Sequence, residues 1–375
     1  MTQKERFVIF EKMVRVLEVS HQLILFTWAK KLNWKFRFFV LIPIIIITAA
    51  VLTSFAKMFH ADGDKMVFAV AGIFTLGYSQ MLLSGIFLML NEGKINNIFT
   101  WLRQMHQEHE DEIVSPIYED NLVKIEKLAY LFMRVLLCIT TTTCVVINSY
   151  VHIREKFILG IPYVLEDYVH LQGFIANFFL FYGSLYLTLI EATIIFIGVY
   201  FIATLGILSD LIKLLSETTE STGKILKLIV RLQVKIIENF NDYCEALFYV
   251  FLIQISTCVF LLVLLFFLLM HTITNAMYLV IIVTVMSQFA MFCFFGQIIH
   301  NRSERIFTDL YITKWYEMDV KDQKALLLAM KMSQRTLGFK VAGMYDINFV
   351  MFVQMIKLCF SYCTILYSII TEMII

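Results

Sequence analysis

Seven stretches of this chain are long and apolar enough to cross a lipid bilayer, and this constrains its fold more than any other feature. A crossing takes about 20 mainly apolar residues. Windows of that kind fall at about 38–58, 66–90, 128–151, 173–205, 246–270, 276–299 and 346–370. In hydrocarbon a backbone must satisfy its own hydrogen bonds, so spans of this length are helices. Hydrophobic residues fill 59% of the 375 positions and charged residues 16%, well away from the roughly half and quarter of a soluble domain. The three prolines, at 43, 116 and 162, leave the spans nearly free of kinks. The fourth run is too long to stop at the membrane face, and continues as a helix through Ile207, Leu211 and Leu215. The expected fold class is an all-α polytopic membrane protein with seven transmembrane helices. It forms one domain over residues 1–375, without internal repeat or soluble domain.

Lys and Arg set the orientation. The N-terminal segment holds eight of them, the second loop four, the fourth loop five and the sixth loop eight, whereas the opposite loops together hold four (57, 65, 154 and 156). Arg134 and Lys357 lie within spans. By the positive-inside rule the N-terminus is expected in the cytoplasm and the C-terminus outside, the reverse of a G-protein-coupled receptor. No cleavable signal peptide is evident ahead of the first run, so that run is expected to act as its own targeting signal.

The loops on the charged side look helical. Lys224, Lys227, Arg231, Lys235, Glu238 and Asp242 alternate every three or four residues with Leu226, Ile229, Val230, Leu232, Ile236 and Ile237, the period of an amphipathic helix with a wide apolar face. The sixth loop repeats the pattern from Trp315 through Leu326, Leu327 and Met330. Two arrangements follow: a packed helical platform over about 206–245 and 300–345, or two helices lying on the lipid surface.

Several functions are disfavoured. A net charge of +1 argues against nucleic acid as a partner, because phosphate binding needs a concentrated basic face. The seven cysteines (138, 144, 244, 258, 293, 359 and 363) sit almost all inside apolar runs and read as small buried hydrophobes. His106 and His109, in HQEHEDE, lack a known zinc spacing and read as a solvated loop. There is no nucleophile–base constellation, P-loop or glycine-rich phosphate motif, so no enzyme, cofactor or metal is expected. The sequon Asn301-Arg302-Ser303 falls on the expected cytoplasmic face, where it would stay unglycosylated.

A family comes into view towards the end of the chain. KWYEMDVKDQKALLLAMKMSQRTLGFKVAG, from Lys314, resembles the segment before the last span of insect odorant receptors, and MYDINFVMFVQMIKLCFSYCTILYSI resembles their closing helix. The matching positions there are Phe349, Phe352, Lys357, Phe360, Ser361, Tyr362, Thr364, Ile365 and Leu366, with Cys359 and Cys363 departing from the family pattern. Looser matches are Tyr168 and Gln172 at the fourth span, Glu191 where an aspartate is common, and FYVFLIQISTCVFLLVLLF in the fifth. Gln233 stands where many members carry His. Insect gustatory receptors end similarly, but with a Gln that is Ser368 here.

The resemblance implies a subunit of a tetrameric, ligand-gated, non-selective cation channel. The last spans would form the pore, cytoplasmic helices the central anchor, and a small volatile ligand would bind within the outer half of each subunit. The chain lacks the enlarged fourth loop of the obligate co-receptor, so it resembles a tuning subunit. The implied partners are that co-receptor, as a hetero-tetramer, and membrane lipid. The implied location is the plasma membrane of a sensory dendrite. Alternatives are a gustatory-type channel and, from the span count alone, a G-protein-coupled receptor.

By motif, the pore face falls on Ile365, Ser368 and Ile369, one helical stripe on which two aliphatic rings flank a hydroxyl and can gate by dewetting. By orientation, the outer span ends offer Phe74 and Tyr78; Thr141, Val145 and Asn148; Phe178 and Tyr182; and Tyr278 and Ile282 as walls of the ligand pocket. The competing reading of these aromatics is ordinary packing or an interfacial belt. Lys357 shares the stripe of Ile365 and is either a vestibule charge or a residue that snorkels or pairs.

Overall fold

The computed structural model describes residues 41–59, 65–107, 115–154, 169–217, 222–271, 276–341 and 345–374. Nine α-helices account for nearly all of them: α1 (Ile42–Phe59), α2 (Lys65–Leu90), α3 (Glu92–Gln107), α4 (Ser115–Arg154), α5 (Val169–Glu217), α6 (Thr222–His271), α7 (Ala276–Ile312), α8 (Val320–Ser333) and α9 (Phe349–Ile374). A 3-10 turn, Trp315–Glu317, precedes α8, and two two-residue strands, β1 (Lys340–Val341) and β2 (Tyr345–Asp346), precede α9. The seven apolar windows of the sequence fall on α1, α2, α4, α5, α6, α7 and α9; among the described residues six of these helices are long and apolar enough to cross a membrane, and α9 carries a shorter apolar stretch, Phe349–Ile365.

Four of these helices outrun the bilayer. α5 has 49 residues and α6 has 50, each about 75 Å long at 1.5 Å per residue, against a hydrocarbon core of about 30 Å. Their surplus turns, with those of α4 and α7, carry the charged residues and make one polar end of the bundle.

α5 runs through the middle. From Ile190 to Leu208 every residue is buried, as expected of a helix apolar all round. It packs on α4, α6, α7 and α2, while α1 lies against α2 at the periphery. The bulky outward residues of α1, among them Ile45, Leu52 and Phe59, are exposed, the lipid-facing side of a span. Close approaches fix the inner helices. Gly85 on α2 leaves the space filled by the Tyr186 hydroxyl of α5, where any Cβ would collide with it. Tyr243 of α6 donates its hydroxyl proton to the Ile194 carbonyl of α5 at 2.6 Å.

At the polar end the apolar face of the first part of α6 is buried inside the protein: Leu226, Ile229, Leu232 and Ile236 are all inaccessible. α8 closes over it with Leu326, Ala329 and Ser333. Gln233 Nε2 donates to the Ala329 carbonyl (3.1 Å) and to Ser333 Oγ (2.6 Å). Of the two arrangements open from the sequence, this is the packed platform. Leu327 and Leu328 point away from it and are exposed.

The linker into α9 is bolted to the same region. Phe339 is buried among Phe240, Tyr243 and Phe251, with ring centroids 5.5, 5.6 and 5.3 Å away. Its carbonyl accepts from Ile347 N at 2.9 Å. Leu337 N donates to Ser303 Oγ at 2.8 Å. Gly296 of α7 admits the Ile347 carbonyl so closely that a side chain there would displace it. Truncating a buried Phe costs about 3–5 kcal/mol. Phe339→Ala is therefore expected to lower the thermal unfolding midpoint of the purified protein clearly more than truncation of the exposed Leu327, measured side by side in one detergent.

Candidate functional site

A cavity of about 170 Å³ opens within the apolar half of the bundle, between α2, α4, α5 and α7, with Leu261 of α6 at its edge. Its walls follow from helical spacing. Ile73, Phe74, Gly77, Tyr78 and Met81 recur three and four residues apart on one face of α2. Thr140, Thr143, Cys144 and Ile147 do the same on α4, as do Leu180, Gly183, Ser184 and Leu187 on α5 and Ile281, Thr284, Val285 and Gln288 on α7.

Two glycines shape the space in different ways. A Cβ on Gly77 would meet nothing within 4 Å, and one on Gly183 would lie 2.7 Å from the Tyr78 ring. The edge of the Tyr78 ring thus fills the gap that Gly183 leaves on α5, and the ring stacks on Phe74 at 6.4 Å. Across the cavity the Thr143 and Thr284 hydroxyls meet at 2.7 Å and join α4 to α7. The lining is otherwise mostly apolar, with a few polar groups placed within it, the usual make-up of a small-molecule site.

Below the cavity Gln80 and Gln288 lead into a void of about 20 Å³, bounded also by Gln254, Cys258, Phe289 and Phe292. It is large enough for about one water. Thr257 Oγ1 lies 2.8 Å from Gln80 Oε1. Glu191, wholly buried on α5, receives Gln254 Nε2 at 3.5 Å on one carboxyl oxygen and lies beside the Gln288 side chain. Two of the helices that bear these groups, α6 and α7, also hold α9. Phe289 of α7 meets Phe352 at 5.5 Å, Phe266 of α6 stacks on Phe360 at 4.5 Å, and the Cys359 thiol lies 3.9 Å from the Val259 carbonyl.

Of the residues singled out from sequence, Phe74 and Tyr78 line the cavity. On α4 the lining falls to Thr140, Thr143 and Cys144, whereas Thr141 and Val145 turn outward and are exposed. Phe178 is exposed and stacks on half-buried Tyr182 at 6.0 Å, outside the cavity wall. On α7 Ile281 lines the cavity and its neighbour Ile282 is buried elsewhere, as is Tyr278. The Asn148 side chain lies outside the described residues. On α9, Ile365 and Ser368 are exposed, Ser368 Oγ donating to the Ile365 carbonyl at 2.9 Å. The Ile369 side chain, His109 and most of HQEHEDE also lie outside the described residues. Among the described residues no group of side chains could hold a metal, and all seven cysteines are free thiols.

Sequence reading missed Gly77, Gly183, Ser184, the Thr143–Thr284 pair and the two glutamines. The available signal was small and amide residues inside apolar spans, two of them adjacent at Gly183 and Ser184.

The family model described as 7tm Odorant receptor matches residues 65–360. The chain belongs to this odorant receptor family. It is therefore a multi-pass membrane receptor rather than an enzyme. The fold agrees. The olfactory receptor OR5 of Machilis hrabei superposes with a TM-score of 0.79 at 11% identity, over 96% of this chain and 98% of that one. The same receptor in complex with eugenol gives 0.77 at 11% identity, over 97% and 99%. No curated protein sequence matches the chain significantly.

Glycine inside a helix costs about 1 kcal/mol relative to alanine, and Gly77 has open space beside it. Gly77→Leu should fill the cavity, raise thermal stability by about 1 kcal/mol and abolish saturable binding of small apolar ligands. Thermal unfolding and ligand titration of the same preparation check both halves.

Proposed function

We propose that this odorant receptor is the tuning subunit of a ligand-gated, non-selective cation channel, and that the 170 Å³ cavity is its odorant site. The observation that carries the reading is the route of contact. The cavity is built on α7 and touches α6, and those two helices hold α9 through Phe289–Phe352 and Phe266–Phe360. A ligand that spreads or tightens the cavity moves the helices on which α9 rests.

Size supports it. Apolar cavities of about 150 Å³ stay dry and take up benzene, so this one suits a small volatile molecule. The gating stripe is Ile365, Ser368 and Ile369; Ile365 and Ser368 are exposed on α9, where a neighbouring subunit's α9 would complete a pore. Exposed Leu327 and Leu328 of the platform provide apolar surface for the same assembly. The subunits are this chain and the co-receptor, in a tetramer of the sensory dendrite's plasma membrane, with the N-terminus in the cytoplasm. Gating needs only that odorant bind the open arrangement better than the closed one.

Cells expressing the chain with a co-receptor are expected to pass a cation current when given odorants, and Ser368→Arg should abolish it while surface expression persists. Currents indifferent to every substitution from Ile365 to Ile369 would remove the pore assignment. An N-terminal tag is expected to bind antibody only after permeabilisation; labelling of intact cells would reverse the orientation.

A further inference from the structure

The cavity also indicates what kind of oxygen its ligand carries. Besides the Tyr78 phenol, four residues with aliphatic hydroxyls line it, Thr140, Thr143, Ser184 and Thr284. A hydroxyl owns one proton and two lone pairs, so its protons can be counted. Thr140 Oγ1 lies 3.0 Å from the Leu136 carbonyl and 3.2 Å from that of Leu137. Ser184 Oγ donates to the Phe181 carbonyl at 2.9 Å.

Thr143 and Thr284 make three contacts between them: to the Ile139 carbonyl at 2.8 Å, to the Val280 carbonyl at 2.8 Å, and to each other at 2.7 Å. Two protons serve three contacts. However they are distributed, both are consumed by protein acceptors, and the two oxygens keep only lone pairs for a ligand. The hydroxyl wall accepts hydrogen bonds and has none to give. Donors stand elsewhere on the lining, at the Tyr78 phenol and at the amides of Gln80 and Gln288.

Resting on the reading of this cavity as the odorant site, we propose that the Thr143–Thr284 pair selects ligands bearing a hydroxyl, small alcohols and phenols, over the ethers and esters of the same skeleton. An alcohol donates to the threonine pair and still has lone pairs for a donor of the lining. An ether or ester can only accept, so it leaves the pair unmet unless a threonine abandons its own carbonyl. One net hydrogen bond corresponds to about tenfold in affinity.

The test uses the purified full chain in lipid nanodiscs, with benzyl alcohol and benzyl methyl ether as probes, and reads the concentration of each that gives half-maximal stabilisation against heat. Gly77→Leu, which closes the cavity, removes any contribution of probe dissolved in the bilayer. The expected result is that the alcohol acts at about one-tenth the concentration of the ether, and that the ratio collapses towards one in the Thr143→Val, Thr284→Val double variant. Single Thr143→Val and Thr284→Val variants give the same reading if the double variant is too unstable. Equal potency of the two probes in the parent protein, each lost in Gly77→Leu, overturns the proposal and leaves the cavity as the site. A ratio that survives removal of both threonines also overturns it. If Gly77→Leu alters the response to neither probe, the cavity is not the site and the proposal falls with it.

Discussion

The structure depends on the burial of α5. A helix inaccessible from Ile190 to Leu208 has no lipid or water face to orient it, so its rotation and depth are set by shape and by the few polar atoms it carries. Hydrophobicity alone supplies little here, since lipid tails are as apolar as leucine, and close packing and interhelical hydrogen bonds take over. The contacts found are of that kind. Tyr186 enters the gap left by Gly85, the ring of Tyr78 lies across Gly183, and Tyr243 reaches the Ile194 carbonyl. Each is short and directional, and each ties α5 to a different stretch of α2 or α6. The cavity is what remains where such a match is incomplete, beside Gly77.

The second constraint is the anchoring of α9. Its linker is held by Phe339 within the ring cluster, by the β1–β2 pair of Lys340 with Asp346, and by the passage of Ile347 over Gly296. Beyond that firmly placed start, α9 touches α6 and α7 at Phe352, Cys359 and Phe360, the contacts through which the proposed gating would act. Buried Gln254 and Glu191, with half-buried Gln80 and Gln288, lie between the two regions. In a membrane core these groups are costly to leave unpaired, which is a physical reason for the helices around them to have few alternative packings.

The sequence revealed the spans because twenty apolar residues in a row admit few other interpretations, and it revealed the platform because Lys224 to Asp242 alternate with apolar residues at helical period. It could not reveal the rotation of the spans. α4 is apolar around most of its circumference, so nothing in its sequence phases Thr140 and Thr143 inward and Thr141 outward; that choice is made by α5 and α7. The same holds for Ile281 and Ile282. On α5 the bulky aromatics Phe178 and Tyr182 drew attention, but large side chains fill space and the cavity needs it left empty. Gly77 and Gly183 are legible only once the facing helix is known. The closing helix is legible through its motif, and Cys359 and Cys363, which depart from the family pattern, are both buried.

Those two cysteines also bear on Lys357. At 100° per residue, Lys357 lies about 160° around the helix from Cys359 and about 120° from Cys363, well away from the side that α9 packs on α6. It is exposed, as are Ser361, Thr364 and Ile365. Lys357 lies eight residues into α9, about 12 Å along the axis, and snorkelling towards the helix start covers only part of that depth. A lysine held in hydrocarbon costs several kcal/mol, and three further polar groups, Ser361, Thr364 and Ser368, follow it along the exposed side. Polar side chains in spans face a bundle interior or a water-filled space. The outer side of α9 therefore belongs against water or another protein chain, and that requirement arises from the charge on Lys357 independently of any likeness to other receptors.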